Sequence, residues 1–322
     1  MSHEVNSVPG PDALPSETGM SEHVRQAIAK ARAVLRPMLP ARMRGDVPIV
    51  PVVRLAGVIG ISSPMRPGLT LANTAKSLDR AFSTKHAKAV ALVINSPGGS
   101  AVQSHLIFQR VRALATEKKL PVLAFVEDAA ASGGYMIACA ADEIFADPSS
   151  IVGSIGVIGG SFGLDKLIAR FGIERRIYTA GENKSSLDPF LPEDPEDVAR
   201  LKAIQDEIHA NFIALVRERR GERLVGPEKA LFSGEYWGGE RARLFGLIDG
   251  LGDVRATLRE RFGDKVLMPL VVERGFFGRK QPGVSLGSGS FGGVEALFDR
   301  TSLAEDVLAA LESRTIWGRY GL

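Results

Sequence analysis

Two short, almost wholly apolar runs constrain this chain more than any other feature. Ala89-Val90-Ala91-Leu92-Val93-Ile94 leads through Asn95-Ser96 into a Pro97-Gly98-Gly99 turn, and Pro121 to Val126 leads into Glu127-Asp128. Runs this short, without polar alternation and bounded by turn residues, read as strands buried on both faces. Leu71 to Thr84 and Ala101 to Thr116 have helical spacing, and Ile49 to Ile61 is strand-like. Strands alternating with helices argue for an α/β fold, a parallel sheet built from right-handed crossovers. Ligands of such sheets bind beyond the carboxyl ends of the strands.

Ser132 falls at such an end, in Ala131-Ser132-Gly133-Gly134-Tyr135, with the small, apolar Met136 to Ala141 reading as a helix behind it. The hydroxyl has two readings there. It can cap the helix, or it can face a cleft where first-turn N–H groups meet developing negative charge. Two other stretches bear on the choice. The Gly98-Gly99 turn lets backbone approach a ligand closely, and Gly181-Glu182-Asn183-Lys184-Ser185 places a lysine after the strand-like Arg176 to Ala180. A serine, a glycine turn and a lysine near a strand end are the parts of Ser-Lys acyl chemistry.

Ser96-Pro97-Gly98-Gly99, Ala131-Ser132-Gly133-Gly134-Tyr135, Gly153-Ser154-Ile155-Gly156-Val157 and Lys184-Ser185, in that order and with lysine 52 positions after the serine, carry a resemblance. From about Val50 to about Gly252 the chain resembles the signal peptide peptidase A family of serine peptidases. The resemblance implies a Clp-protease/crotonase-like fold with flanking helices and a Ser-Lys dyad. It makes Ser132 the nucleophile, Lys184 the general base and Ser185 a support for the lysine amine. The backbone N–H groups of Gly99 and Gly133 become the oxyanion hole, and Gly153 to Val157 an edge that pairs with an extended peptide. It also implies a homo-oligomer, tetramer to octamer, whose lysine comes from the same or a neighbouring subunit. Substrates would be extended hydrophobic peptides or unfolded segments, such as signal-peptide remnants. Two other classes share this fold: a non-catalytic peptide- or membrane-binding scaffold, and a crotonase-type acyl-CoA enzyme.

The remaining sequence sets bounds. A formal charge of +3 over 322 residues, with four Tyr and two Trp, gives no nucleic-acid footprint. The lone Cys139 excludes an internal disulfide and reads as a small buried hydrophobe. The five histidines lie outside the motifs, which favours lysine as base. No metal-ligand cluster or phosphate loop appears, so no cofactor is expected. Three regions are expected: a tail and amphipathic helix over 1–45, a peptidase domain over 46–265, and an extension over 266–322 with a Gly/Ser linker and a last helix from Ser302 to about Ser313. The helix at Ser21 to Leu39 packs on protein or lies on a membrane surface. No run is apolar enough to span a bilayer, so the expected location is the cytoplasm, with peripheral contact at the inner face of the membrane as the sharper variant. Further expectations are an edge strand over Ile151 to Gly160, a helix over Phe162 to Phe171, a strand over Glu174 to Ala180 and a long helix over Asp194 to Arg219.

Overall fold

A computed structural model of the chain describes residues 47–60, 68–272 and 310–322. The chain divides into two units, Met1–Val47 and Pro48–Leu322, and the sheet and its helices belong to the second. The expected helix at Ser21 to Leu39, the Gly/Ser linker and the Ser302 capping box lie outside the described residues.

The α/β expectation holds. β1 (Val52–Ala56), β2 (Val90–Ser96), β3 (Val122–Ala131), β4 (Glu143–Ala146) and β7 (Gly250–Leu251) lie side by side in that order, all parallel. Helices α1 (Leu71–Phe82) and α2 (Ala101–Lys118) make the first two crossovers. Alternate residues of β2 serve two cores. Val90, Leu92 and Ile94 join the larger cluster, while Ala91 and Val93 join a smaller one with Leu123, Phe125 and Leu258. Both faces are therefore buried, which is why the run carries no polar alternation. Residues 267 to 269 stay with the domain: Val50 and Val52 donate to the Leu267 and Pro269 carbonyls at 2.8 and 2.9 Å, extending the sheet past β1.

The third strand is longer than the sequence suggests. It runs on through Glu127–Ala131, because the register against β2 shifts after Ile94/Val126 and a bulge absorbs the two acids. Arg54 holds Glu127 at 2.7 Å, and the Asn95 amide donates to Asp128 at 2.6 Å. Past the bulge, Ala129–Ala131 pair with β5 (Ile151–Gly153), which pairs on its other side with antiparallel β6 (Tyr236–Gly238). The strand expected to reach Gly160 thus stops at Gly153, with both its edges taken.

The outer segments differ more. The helix expected from Phe162 covers only Asp165–Arg170 (α4), and Glu174–Ala180 forms no strand: Tyr178 is 92% exposed and no described strand pairs there. α5 (Pro195–Arg220) matches its expected span, but only its C-terminal half is buried, through Phe212, Leu215 and Val216. Among the described residues the last helix covers 310–318, five residues beyond its expected end.

Candidate active site

Ser132 stands where β3 hands over to a six-residue helix, Gly133–Ala138. Its backbone has φ 52° and ψ −120°, the geometry of the first central residue of a type II′ turn, where glycine normally stands. Its N–H donates to Gly153 O at 2.8 Å and its carbonyl accepts from Met136 N at 3.0 Å. The hydroxyl makes no capping hydrogen bond, so the helix-cap reading falls. A strained residue whose side chain is left unused by its own helix is the pattern of a functional position.

The small residues around it follow from crowding. Ala129, Ala130 and Ala131 are fully buried beneath neighbouring strands. A Cβ on Gly134 would come within 2.6 Å of the Ser96 carbonyl, so the helix can begin this close to β2 only with glycine there. Its far end is fixed by cations: Arg219 donates to Cys139 O at 2.8 Å and Ala141 O at 3.0 Å, satisfying carbonyls that the short helix leaves free. Tyr135, fully buried, donates its hydroxyl to Leu247 O at 2.8 Å. Burial pushes the Cys139 thiol up to about 11, in keeping with an inert small hydrophobe.

The second part of the site is the turn after β2. Gly98 and Gly99 have φ of 101° and 140°, which side-chain-bearing residues avoid. A Cβ on Gly98 would lie 2.8 Å from Ser132 Cβ and 3.0 Å from Gly133 N, so this turn lies directly against the serine. Ser96 Oγ donates to Gly57 O at 2.7 Å and accepts from Gly98 N at 3.2 Å, holding the turn from behind. Among the described residues, no hydrogen bond uses the N–H of Gly99 or of Gly133. Two unused amides beside an unused hydroxyl are the elements of an oxyanion hole.

These groups line one cavity of about 970 Å³. The expected peptide-binding stretch divides. Ser154, Gly156 and Val157 line the cavity, while Gly153 is taken up in the sheet and Ile155 is fully buried. Ser154 shares the strained backbone, with φ 52° and its N–H donating to Glu235 O at 2.6 Å. Met136, Ile208 and Phe212 make much of the remaining wall apolar.

Lys184 and Ser185 are not brought to the cavity. They sit in a turn, Lys184 exposed and Ser185 half-buried. The nearby Asp188 is held by the Phe190 N–H and by Arg175 at 3.0 Å, which keep its carboxyl below the ordinary range. Among the described residues Lys184 has no ion pair. The structure instead adds residues that the motifs did not name. His209, on α5, lines the cavity with its Nε2 3.2 Å from Ile155 O, and Tyr236 and Tyr320 line it from opposite sequence regions. Their only sequence signal is an aromatic or histidine beside an apolar stripe, which points to packing as readily as to a site.

Comparison with known proteins bears on these features. The family model described as Peptidase family S49 matches residues 114–264. A Brucella abortus (strain 2308) protein named Na(+)/H(+) antiporter NhaA is 54% identical over 291 residues, covering 90% of this chain but only 39% of that one. The protease-named slr0021 of Synechocystis sp. is 32% identical over 208 residues, 62% of this chain and 74% of the other. Serine protease SPPA, chloroplastic, of Arabidopsis thaliana is 32% identical over 54% of this chain and 26% of its own. Among solved structures, a substrate-peptide complex of the 1510-N membrane-bound stomatin-specific protease aligns over 72% of this chain and 95% of its own, with 18% identity and a TM-score of 0.45. The chain spans well under half of the Brucella protein, yet most of slr0021 at over 30% identity. The chain belongs to peptidase family S49, the signal peptide peptidase A family.

Proposed function

We propose that the chain is a serine endopeptidase that cleaves extended apolar peptide segments, with Ser132 as nucleophile and Lys184 as general base. The observation that carries this is the strained Ser132, whose hydroxyl, like the two glycine amides it lies against, has no hydrogen-bond partner among the described residues. Ser132 Oγ attacks the scissile carbonyl while its proton passes to the lysine amine. The N–H groups of Gly99 and Gly133 take the oxyanion, and loss of one such donor typically costs about 2.7–4 kcal/mol of transition-state stabilisation. Collapse of the intermediate returns the proton to the leaving amine and leaves an acyl-serine, which water then hydrolyses. Met136, Ile208 and Phe212 in the cavity wall favour apolar side chains.

The lysine comes from a neighbouring copy. Lys184 of the same chain lines no part of the cavity, and a lysine takes a proton only in its neutral form, which burial favours. The segment that bears it exposes Phe162, Phe171 and Tyr178 at 83, 72 and 92%, a density of apolar surface that suits an interface between copies. An oligomer would bury this surface and the lysine together. Ion transport, the role that the names of the Brucella proteins carry, is not transferred, since this chain matches 39% of them and no described helix is long and apolar enough to cross a membrane. The scaffold reading draws on the distance of Lys184 from the cavity and predicts no covalent chemistry.

A fluorophosphonate probe decides between the two. Intact-mass analysis should show one adduct per chain, mapped to Ser132 and lost in Ser132→Ala. A wild type that takes no adduct at Ser132, while still binding peptides, would favour the scaffold.

A further inference from the structure

The helix over 310–318 and the residues after it lie at the mouth of the Ser132 cavity. Ile316 and Tyr320, both half-buried, line it together with Ser132, Gly99 and Gly133. The Tyr320 hydroxyl is 3.2 Å from Ser154 Oγ and 3.4 Å from Pro97 O, so it bridges the peptide-binding stretch and the glycine turn. Its ring meets that of Tyr236 edge-on at 5.0 Å, and the Tyr236 hydroxyl donates to Arg319 O at 3.2 Å. A segment seated there either plugs the cleft or forms part of its wall.

The geometry favours a wall. With the helix in place the cavity still measures about 970 Å³. Pockets of roughly 300–1,000 Å³ hold drug-sized ligands, so several atoms of a peptide side chain and backbone fit. No hydrogen bond among the described residues joins the 310–322 segment to Ser132 or to the amides of Gly99 and Gly133. The machinery is left clear, and the contacts fall on its rim.

We infer that residues 310–320 form one wall of the substrate pocket, with Ile316 a specificity-determining residue that selects an apolar substrate side chain. Tyr320 fastens this wall, tying it to Ser154 on one side and to Pro97 on the other. Ile316 joins Met136, Ile208 and Phe212 in presenting hydrocarbon to whatever enters, while Glu312 and Arg319 line the cavity beside it. The inference rests on the peptidase reading for its substrate class, and it makes the far end of the sequence part of a site otherwise built between Ile59 and Tyr236.

The test reverses the preference rather than only weakening it. Full-length wild type and Ile316→Glu are assayed on two peptides that differ in one residue, Leu or Lys, at each position flanking the scissile bond. At one position the wall predicts that Ile316→Glu lowers kcat/KM for the Leu peptide about tenfold or more, chiefly through KM, and raises it for the Lys peptide. Fluorescence anisotropy of the same peptides on Ser132→Ala, with and without Ile316→Glu, should show the same reversal in affinity without turnover. The binding assay keeps a failure of the peptidase reading distinct from a failure of the wall. Equal gains for both peptides, with Tyr320→Ala acting likewise, would make the segment a plug. An unchanged Leu/Lys ratio at every position would overturn the role of Ile316.

Discussion

Replacing Ser132 by glycine should stabilise the protein, while replacing it by alanine should not. At φ 52° and ψ −120° the residue occupies a region that disfavours any Cβ, a strain of about 1–3 kcal/mol. Ser132→Ala keeps the Cβ and so keeps the strain. It also removes a hydroxyl that makes no capping hydrogen bond, so its stability should stay within about 0.5 kcal/mol of wild type. Ser132→Gly releases the strain but adds about 0.5–1 kcal/mol of unfolded-state entropy. At the midpoints of these ranges the balance leaves Ser132→Gly more stable than Ser132→Ala by about 1 kcal/mol, or about 2–4 °C in Tm for a domain of this size. Urea unfolding at fixed protein concentration reads the difference through the midpoint, with the slope unchanged. Both variants should be inactive. A glycine variant no more stable than the alanine one would mean that the backbone is not strained and that the turn is not built to present the serine.

Other outcomes derive from the framework around the site. Arg220, 2% exposed, donates to Gly246 O and to both oxygens of Asp249 at 2.8 and 3.1 Å, so Arg220→Ala should destabilise the fold in urea unfolding, but by less than the about 3–5 kcal/mol of a charge left wholly alone, since Arg223 still reaches Asp249 at 3.1 Å. Burial alone would raise the Asp249 carboxyl, but the Arg220 and Arg223 guanidiniums and the Ile144 N–H together outweigh it and hold the group below the ordinary value. A depressed carboxylate contributes stability above its unfolded value of about 4 and loses it as pH falls through the folded value. Wild type should therefore lose stability below about pH 4 along a steeper slope than Asp249→Asn, as read by urea midpoints at each pH. With its thiol pushed up to about 11 by burial, Cys139 should resist a disulfide reagent at pH 8 in the native state and react fully in denaturant. Rapid reaction of the folded protein would contradict the burial.

The sheet was legible where sequence neighbours decide the structure. The β2 run is apolar because both its faces are covered, and the first two helices keep their spacing because each packs one face on the sheet. Position in the motif also placed Ser132 at the end of a strand. Legibility failed where the deciding partner is far away in the chain. Glu127 and Asp128 read as the end of β3, yet Arg54 and Asn95 hold them in a bulge that carries the strand on to Ala131. Glu174 to Ala180 carries the β-branched and aromatic Ile177, Tyr178 and Thr179 typical of a strand, but pairing needs a neighbour and this chain supplies none among its described residues. The apolar stripe of α5 was clear as well, yet Ile204 is 55% exposed, since a stripe shows that a helix packs without showing on what. His209 and Tyr320 could not be placed in the cavity from sequence, because one is fixed through Ile155 and the other through Ser154, a sequence separation that no local pattern spans.

The pairing of Ser132 with Lys184 across copies is tested most directly by hydrolysis of an unstructured apolar peptide by four samples. These are wild type, Ser132→Ala, Lys184→Ala, and the two variants unfolded and refolded together in equal amounts. Wild type should cleave and each variant alone should not. In the mixture, a site that takes its serine from one copy and its lysine from another is intact about one time in four, so about a quarter of wild-type activity should return. A mixture as inactive as its parts would place the dyad within one chain, and cleavage by Lys184→Ala alone would remove the lysine from the chemistry.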